Sequence, residues 1–304
     1  MIRLLQRKEI DAFRWDECIS SSPDGQAFFY SWYLDTCAEQ WLALVEGEYE
    51  AVFPLACRSK FGIEYLYQPY FTRHSGLIAR KGSDASQRRL FLDAIPSDYK
   101  YADFCLHSSH HEIPDDAKSE EKQYQELRLS DSYTDIHDRY HENLIRNLKK
   151  AERKNLSLRP DYNPDFVVDQ FMVHQKEKRE EFSDADFHVL KRLMKEAGRH
   201  TSTQCLAVQA PDGTVLAGAF LLRCRDRWLY LKGFSSPDGK KCGAMHFLFD
   251  RFIRSHAGQD LVLDFGGSSV KSVARFYQSY GSTDCVYLHL RINRLPKALR
   301  WLKR

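Results

Sequence analysis

The amino-acid sequence predicts a mixed α/β protein built from two units of similar architecture. Two helices, an antiparallel meander, a further helix and a strand are predicted within residues 1–130, and a similar series is predicted within residues 131–304. A chain of 304 residues is long enough for two domains of ordinary size. No sequence repeat of fixed period accompanies this order, so the predicted repeat is one of architecture only.

The first predicted unit combines helices with short strands. Apolar runs between turn residues indicate strands, and longer segments with helical periodicity indicate helices. Pro54 lies within a predicted strand, and its missing N–H group predicts an edge position or a bulge. The predicted strands are 2–5, 41–45, 51–58, 63–67, 75–78, 101–107 and 124–129, the predicted helices are 9–20, 28–39 and 84–94, and 112–121 is predicted to be an exposed acidic connection.

The second predicted unit begins with a long helix and ends with a short one. A hairpin is expected at Ala210-Pro211-Asp212-Gly213, because proline, aspartate and glycine favour a tight turn. The predicted helices are 134–154, 164–200 with a break near residues 182–184, 244–255, 270–280 and 294–303, and the predicted strands are 156–160, 204–209, 215–223, 228–233, 261–263 and 285–292.

The composition is that of an ordinary soluble protein. Hydrophobic residues make up 43% of the chain and charged residues 29%, and the net charge of +3 does not by itself argue for a nucleic-acid ligand. No apolar run approaches the length of a transmembrane helix. Charged residues directly follow the short apolar N-terminal segment, which argues against a secretory signal. A cytoplasmic location is therefore expected.

The cysteines and histidines do not form a recognisable metal-binding pattern. Eight cysteines are scattered without a C-x-x-C pair, which is typical of reduced thiols in a cytosolic protein. Residues 107–111 hold the only histidine cluster, and without nearby cysteines this cluster is interpreted as a loop. No metal site is expected.

The segment from residue 261 to residue 281 carries the most informative local pattern. An apolar strand ends at Asp264, and Gly266-Gly267 then allow a tight turn and the close approach of a ligand. Ser268 or Ser269 is expected to cap the helix that follows, and Gly281 is placed to end it in a left-handed conformation. A ligand at the helix N-terminus and an ordinary βα turn are both compatible with this pattern.

The same segment resembles known acyltransferases. Residues 274–281, ARFYQSYG, resemble the last motif of GNAT-type acyltransferases, and residues 264–268, DFGGS, are similar to the glycine turn of the Fem-type (FemABX) peptidoglycan bridge transferases. Fem-type proteins consist of tandem GNAT-like domains. The resemblance covers most of the second half, and in the first half it rests on residues 51–76. It implies two GNAT-like domains: residues 1–130 on the acceptor side, and residues 131–304 with the donor site and the catalytic motifs.

The resemblance implies a catalytic role for Tyr277. At this position in GNAT acetyltransferases, a tyrosine can protonate the departing thiolate, and a phenol with an ordinary pKa near 10 is protonated at neutral pH. Fem-type enzymes often have lysine there, so Tyr277 favours an acyl-CoA donor. Asp264 is a second candidate, for orienting or deprotonating the amine. A half-buried packing role for Tyr277 and a turn-stabilising role for Asp264 remain open.

Residues 233–244 are predicted to form a loop between a strand and a helix. In GNAT enzymes, backbone amides at this junction hold the pyrophosphate of acyl-CoA. Met245 stands where the family has a small residue, so the motif is only partly kept. A surface loop that happens to carry lysines remains possible. The predicted donor-binding residues, together with the later glycine turn, are Lys240, Lys241, Gly243, Ala244, Gly266 and Gly267.

Two other segments are candidates for substrate binding. The helix around residues 143–155 has a basic face that includes Arg146 and Lys150, which predicts either phosphate contacts or a solvated surface. It resembles a basic helix of Fem-type proteins. Gln68 and Arg73 follow a strand of the first half and are candidates for lining an acceptor pocket between the domains.

Three functions follow from this reading. The first is an N-acyltransferase that moves an acyl group from acyl-CoA, such as acetyl-CoA, to an amine by direct transfer. The second is a Fem-type transferase that uses aminoacyl-tRNA and acts on a peptidoglycan (muropeptide) precursor in cell-wall biogenesis. The third is a non-catalytic binding protein on a degenerate GNAT fold. The sequence does not specify the donor, the acceptor or the oligomeric state.

Overall fold

The structure of the protein is a computed structural model that describes residues 1–60, 62–107, 113–174, 182–267 and 270–296. The chain divides into two compact units. Unit 1 contains residues 1–122 together with the segment that begins at residue 286, and unit 2 contains residues 123–285. This division differs from the predicted boundary near residue 130, because the last strand of the chain belongs mainly to unit 1. Within the described residues, none of the helices is both long and apolar enough to span a membrane.

Unit 1 is a mixed sheet with helices. Its strands are hydrogen-bonded in the order β1-β2-β3-β4-β6-β13, and β5 pairs with β3. Every pairing is antiparallel except that of β4 with β6. Its elements are β1 Ile2–Gln6, α1 Ala12–Ser21, α2 Ser31–Cys37, β2 Gln40–Glu46, β3 Ala51–Lys60, β4 Ile63–Tyr67, β5 Ile78–Ala79, α3 Ala85–Asp93, β6 Tyr101–His107, the first part of β7 Ala117–Arg128 and most of β13 Thr283–Asn293.

Unit 2 has the same kind of architecture. Its strands follow the order β7-β12-β11-β10-β9-β8. Among the pairings of described residues in this unit, only that of β11 with β12 is parallel. Its helices are α4 Tyr133–Asp138, α5 Glu142–Arg153, α6 Pro164–His174, α7 Asp184–His200, α8 Pro237–Cys242, α9 Ala244–His256 and α10 Lys271–Gln278, and its further strands are β8 Ser157–Arg159, β9 Thr203–Gln209, β10 Val215–Cys224, β11 Arg227–Ser235 and β12 Val262–Gly267.

Apolar alternation and helix capping explain these elements. β9, β10 and β11 are largely buried and form the centre of unit 2, against which α5 and α9 place their apolar faces. Ser183 begins α7 with a capping box, because its hydroxyl accepts the Asp186 N–H and the Asp186 carboxylate accepts the Ser183 N–H. Gly281 has φ +75°, which confirms the predicted left-handed residue after the last helix of unit 2.

The predicted long helix at 134–154 is wrong in one respect. The structure has two helices, α4 and α5, because His141 has extended backbone angles and its N–H donates to the Ser279 carbonyl. A tertiary hydrogen bond therefore replaces an intrahelical one at the break. Likewise, the predicted helix at 28–39 is a 3₁₀ turn at Ala27–Phe29 followed by α2, and strand β2 begins at Gln40.

Other predicted elements also differ from the structure. Residues 117–121 belong to β7 instead of a connection, although 118–121 are exposed as predicted. The strand predicted at 75–78 is reduced to β5 and a single bridge between Ser75 and Leu106. Pro54 lies inside β3, but β5 and β4 pair with opposite ends of that strand and leave the stretch beside Pro54 between them. Residues 294–296 are not helical. The rest of that predicted helix, the capping serines 268 and 269, and most of the histidine cluster lie outside the described residues.

One arrangement occurs in both units. In unit 1, β4 and β6 are parallel over three residue pairs, from Tyr65–Tyr101 to Tyr67–Asp103. In unit 2, β11 and β12 are parallel over three pairs, from Arg227–Val262 to Leu229–Asp264. Beyond these pairs the strands of unit 2 diverge. A cleft between two parallel strands is a common place for a ligand in α/β proteins.

Candidate active site

The divergence of β11 and β12 is produced by irregular backbone in both strands. In β11, Phe220 of the neighbouring strand pairs with Lys232 and Leu221 pairs with Tyr230, so that Leu231 is an extra residue. In β12, the register against β7 shifts between Asp264 and Gly267. Bulges of this kind bend a strand and redirect its side chains. The two strands therefore separate just after their third pair.

A largely buried ion network spans these parallel pairs, from Arg227 in the first to Asp264 in the last. The Arg227 guanidinium contacts the Glu126 carboxylate and lies 3.2 Å from the Asp264 carboxylate, so that one cation joins β7, β11 and β12. Burial disfavours the charged guanidinium, but the two carboxylates outweigh this and raise the pKa of Arg227. The Asp264 side chain is completely buried, and its second oxygen accepts the Gly266 N–H at 2.9 Å.

These contacts define the geometry of two predicted site residues. Gly266 has φ +77°, as the turn requires, and Gly267 pairs with Tyr124 on β7. Asp264 uses both oxygens within the protein, which is the turn-stabilising arrangement that the sequence left open. This geometry favours a structural role for Asp264 over deprotonation of a substrate.

The ring of Tyr277 lies over the point where the strands separate. It stacks on Phe265 of β12 at 4.9 Å and lies 6.4 Å from the ring of Tyr230 on β11. Burial, with the neighbouring Tyr230 phenol and the Asp264 carboxylate, raises the pKa of Tyr277 well above its ordinary value. The phenol is therefore protonated at neutral pH, so that in the resting protein it is a proton donor.

Helix α9 begins beside this position. Gly243 has a left-handed conformation, φ +77°, and a Cβ there would lie 2.7 Å from the Asn147 carbonyl oxygen, so that glycine is required. The N–H groups of Ala244, Met245 and His246 have no acceptor among the residues that the structure describes. Free amides at a helix N-terminus favour an anion.

His246 links this helix end to its surroundings. Its ring packs against Phe276 of α10 at 4.8 Å, and its carbonyl accepts the Tyr280 hydroxyl. Burial lowers the pKa of His246 to about 4, and the positive charge of Lys150 contributes. The imidazole is therefore neutral at neutral pH, and Lys150 is the nearby cation.

The predicted loop at 233–244 is wrong, because half of it is helix α8. Ser236 caps this helix by accepting the Gly239 N–H, and Pro237 occupies its first turn. Lys240 and Lys241 lie on α8 and are exposed, and Lys241 forms an ion pair of 2.9 Å with Asp238. Of the four residues predicted in this loop to bind the donor, Gly243 and Ala244 lie at the start of α9.

Helix α5 presents an exposed basic face, as predicted. Its apolar side, which includes Leu144 and Leu148, is buried against the core of unit 2. On the other side, no ion pair with a described residue was found for any of the five cations, which are Arg146, Lys149, Lys150, Arg153 and Lys154. The interaction with His246 places Lys150 near the start of α9.

The predicted acceptor residues lie in unit 1. The Gln68 side chain is fixed, because its carbonyl accepts the Cys105 N–H and its amide donates to Thr72 at 2.5 Å. The Arg73 guanidinium lies 6.0 Å from the centre of the Phe28 ring. Gln68 and Phe28 both border a small cavity beside Pro54.

Sequence reasoning missed several residues of the site. The sequence contains an indication for two of them: Tyr230 lies in a predicted strand, and His246 lies in the first turn of a predicted helix. No local sequence pattern indicates the pairing of Arg227 with Glu126, because 101 residues separate them in the sequence. Only the register of the folded sheet brings these charges together.

Comparisons with known proteins identify a domain family for part of the chain. Residues 138–276 match the family model described as an acetyltransferase (GNAT) domain. Unit 2 carries a GNAT domain. The matched range contains the diverging strands, α9 and most of α10. The prediction of a GNAT-type acyltransferase is therefore confirmed. No curated protein sequence matches the chain.

Solved structures extend the likeness to nearly the whole chain. FemX is similar with a TM-score of 0.64 and 13% identity, covering 97% of this chain and 98% of its own. A tandem GNAT protein from the clavulanic acid biosynthesis pathway is similar with a TM-score of 0.52 and 9% identity, covering 98% and 100%. The predicted tandem GNAT fold is confirmed.

A third structure belongs to a protein named for a lipid product. It is the C-terminal domain of a putative lysylphosphatidylglycerol synthetase from Agrobacterium fabrum, with a TM-score of 0.52 and 9% identity, covering 96% of this chain and 94% of that domain. At these identities the likeness concerns the fold alone.

Proposed function

We propose that this GNAT protein is an N-acyltransferase that transfers an acyl group from acyl-CoA to an amine. The open N-terminus of α9 is the observation that carries the proposal. Its unpartnered amides and the neighbouring Lys150 suit the pyrophosphate of the donor. The divergence of β11 and β12 then receives the acyl arm, with Tyr277 over it.

Donor binding in this proposal is assigned differently from the sequence prediction. Gly243 and Ala244 keep their roles, because they begin α9. Gly266 and Gly267 shape the turn at the far side of the divergence. Lys240 contributes long-range charge from α8, and Lys241 contributes little because Asp238 neutralises it at the surface.

The reaction then depends on the positions of the amine and the acyl group and on the transfer of a proton to the departing thiolate. The bound amine attacks the acyl carbon directly, which needs no covalent enzyme intermediate. Tyr277 gives its proton to the departing thiolate, and its raised pKa keeps the proton in place until negative charge develops. Gln68 and Arg73 of unit 1 are proposed to contact the acceptor.

A second candidate function is favoured by the basic face of α5. Five exposed cations without ion pairs among the described residues suit an extended polyanion better than a single pyrophosphate. The resemblance to Fem-type proteins makes aminoacyl-tRNA the donor in this case, and a peptidoglycan precursor the acceptor.

Two titrations separate these donors. Calorimetry with acetyl-CoA should show saturable binding that is several-fold weaker in Lys150→Gln. The control variant Lys195→Gln on α7 changes an exposed lysine outside the site and should bind like the unmodified protein. Absence of saturable acetyl-CoA binding at millimolar ligand would refute the first candidate.

The titration with tRNA uses a variant in which Lys150 is unchanged. In the quadruple variant Arg146→Gln/Lys149→Gln/Arg153→Gln/Lys154→Gln, acetyl-CoA binding should be kept. If aminoacyl-tRNA is the donor, the unmodified protein should bind charged tRNA with strong salt dependence and transfer its amino acid to a muropeptide precursor, and the quadruple variant should lose both.

A further inference from the structure

Two phenols, the buried Tyr277 and the partly buried Tyr230, meet at the divergence of β11 and β12. Tyr230 is the residue of β11 directly after the last parallel pair, and the Tyr277 ring covers it from α10. Tyr277 is only 7% exposed. No acceptor for either hydroxyl was found within the described ranges. With no acceptor among the described residues, each hydroxyl can donate a hydrogen bond to a ligand.

The backbone makes room for Tyr230. A Cβ on Gly233 would lie 2.6 Å from the Tyr230 hydroxyl oxygen and 2.4 Å from the Gly218 carbonyl oxygen. The phenol therefore lies along β11 over Gly233, beyond the point where β12 has separated. Phe249 of α9 packs against the Tyr230 ring at 5.0 Å and holds it there.

We propose that Tyr230 and Tyr277 form a pair of phenol donors that hold the acyl group, with Tyr230 stabilising the oxyanion. The inference rests on the proposed acyl transfer and assigns its charge-stabilising residue. Burial also raises the pKa of Tyr230, so that both phenols are protonated at the start of the reaction. One donor can therefore serve each atom on which negative charge develops, the carbonyl oxygen and the sulfur.

The transfer step is balanced with these two donors. The amine nitrogen bonds to the acyl carbon, and the carbonyl electron pair moves to oxygen, which accepts a hydrogen bond from Tyr230. The electron pair on the oxyanion then re-forms the carbonyl bond as the C–S bond breaks, the electron pair of that bond goes to sulfur, and Tyr277 protonates the sulfur. The proton released by the attacking nitrogen returns to Tyr277. The products are the amide and the free thiol.

The first test is steady-state kinetics of the full-length protein with acetyl-CoA and a panel of primary amines. Tyr230→Phe should lower kcat about 100-fold, the loss typical of one oxyanion donor, and should leave the donor KM within about threefold. The matched control is Tyr280→Phe, which also removes a buried hydroxyl of this cluster but one that already donates to the His246 carbonyl. Activity of Tyr230→Phe within about threefold of the unmodified protein would overturn the pair while leaving the proposed function standing.

A second measurement does not depend on turnover. Acetyl-CoA labelled with ¹³C at the carbonyl should show a downfield shift when it is bound, because its oxygen accepts a hydrogen bond, and Tyr230→Phe should abolish most of that shift. A bound carbonyl with the same shift in both proteins would overturn the pair. Absence of acetyl-CoA binding to the unmodified protein would overturn the proposed donor, and the pair with it.

Discussion

Replacement of Arg227 by methionine is expected to destabilise the protein strongly. Arg227→Met keeps much of the side-chain volume and removes the cation between Glu126 and Asp264. The Asp264 side chain is completely buried, so its carboxylate would lose its counter-charge without gaining water. Removal of one partner from a buried ion pair typically costs about 3–5 kcal/mol. We expect a loss in this range, nearer the lower end because Arg227 is 23% exposed.

The assay for this prediction is urea denaturation of the full-length protein. Arg159→Met is the control, because Arg159 is exposed on β8 and donates only to the Gln209 side chain; this variant should change the free energy of unfolding by less than about 0.5 kcal/mol. The double variant Arg227→Met/Asp264→Asn should recover part of the loss, since it no longer buries an unpaired charge. A loss below about 1 kcal/mol in Arg227→Met would show that the network is not a buried one and would refute the reasoning.

Three further predictions concern other parts of the molecule. Burial alone would raise the pKa of Asp103, but hydrogen bonds from His289 and Tyr101 outweigh it and lower this pKa to about 2. Because the folded-state pKa is depressed, the unmodified protein should lose about 2 kcal/mol of its free energy of unfolding between pH 4 and pH 2, and Asp103→Asn should not. Urea titrations at several pH values measure this, and parallel curves of stability against pH for the two proteins would contradict it. Gly243→Ala should lower the free energy of unfolding by more than the roughly 1–2 kcal/mol that a left-handed alanine costs, because its Cβ would also meet the Asn147 carbonyl. Gly213→Ala, at a left-handed position in open space, should cost only that amount. Equal losses in the two variants would exclude the contact with Asn147. Lys150→Gln should raise the pKa of His246, because it removes a nearby positive charge, but by less than burial lowers it. NMR titration of the imidazole measures this pKa, and an unchanged value would place Lys150 away from the ring.

The sequence predicts most elements of the fold because their patterns are local. Gly281 ends its helix in the predicted conformation, and the hairpin of β9 and β10 follows from a Pro-Asp-Gly turn. The division between α4 and α5 could not be predicted, since it depends on the hydrogen bond from His141 to Ser279. Local periodicity contains no information about that partner.

Residues 233–244 were predicted to be a loop, although the sequence contains a typical start of a helix. Ser236 followed by Pro237 is a typical helix start, but two glycines in the next six residues favoured a loop. The structure explains Gly239 by packing, since a Cβ there would lie 2.1 Å from the Leu216 carbonyl oxygen. Glycine was needed for close approach and not for flexibility, and a sequence does not distinguish these reasons.

The candidate site was only partly predictable for a related reason. Tyr277, Gly243 and the glycine turn belong to local motifs, and the structure brings them near the divergence. Tyr230 and the Glu126–Arg227–Asp264 network depend on strand register, which is set by contacts across the sheet. Residues that support a site from neighbouring strands therefore escape motif-based reasoning.

The short parallel contact between β11 and β12 creates a sheet edge inside unit 2. After Leu229, β11 continues to Ser235 and stays paired with β10, but the side that faced β12 has left its partner. Most proteins protect such an edge, because its backbone groups can pair with any extended chain. Here the edge begins at Tyr230, whose ring packs against that of Tyr277. An edge of this kind has the backbone geometry with which extended, amide-containing chains pair.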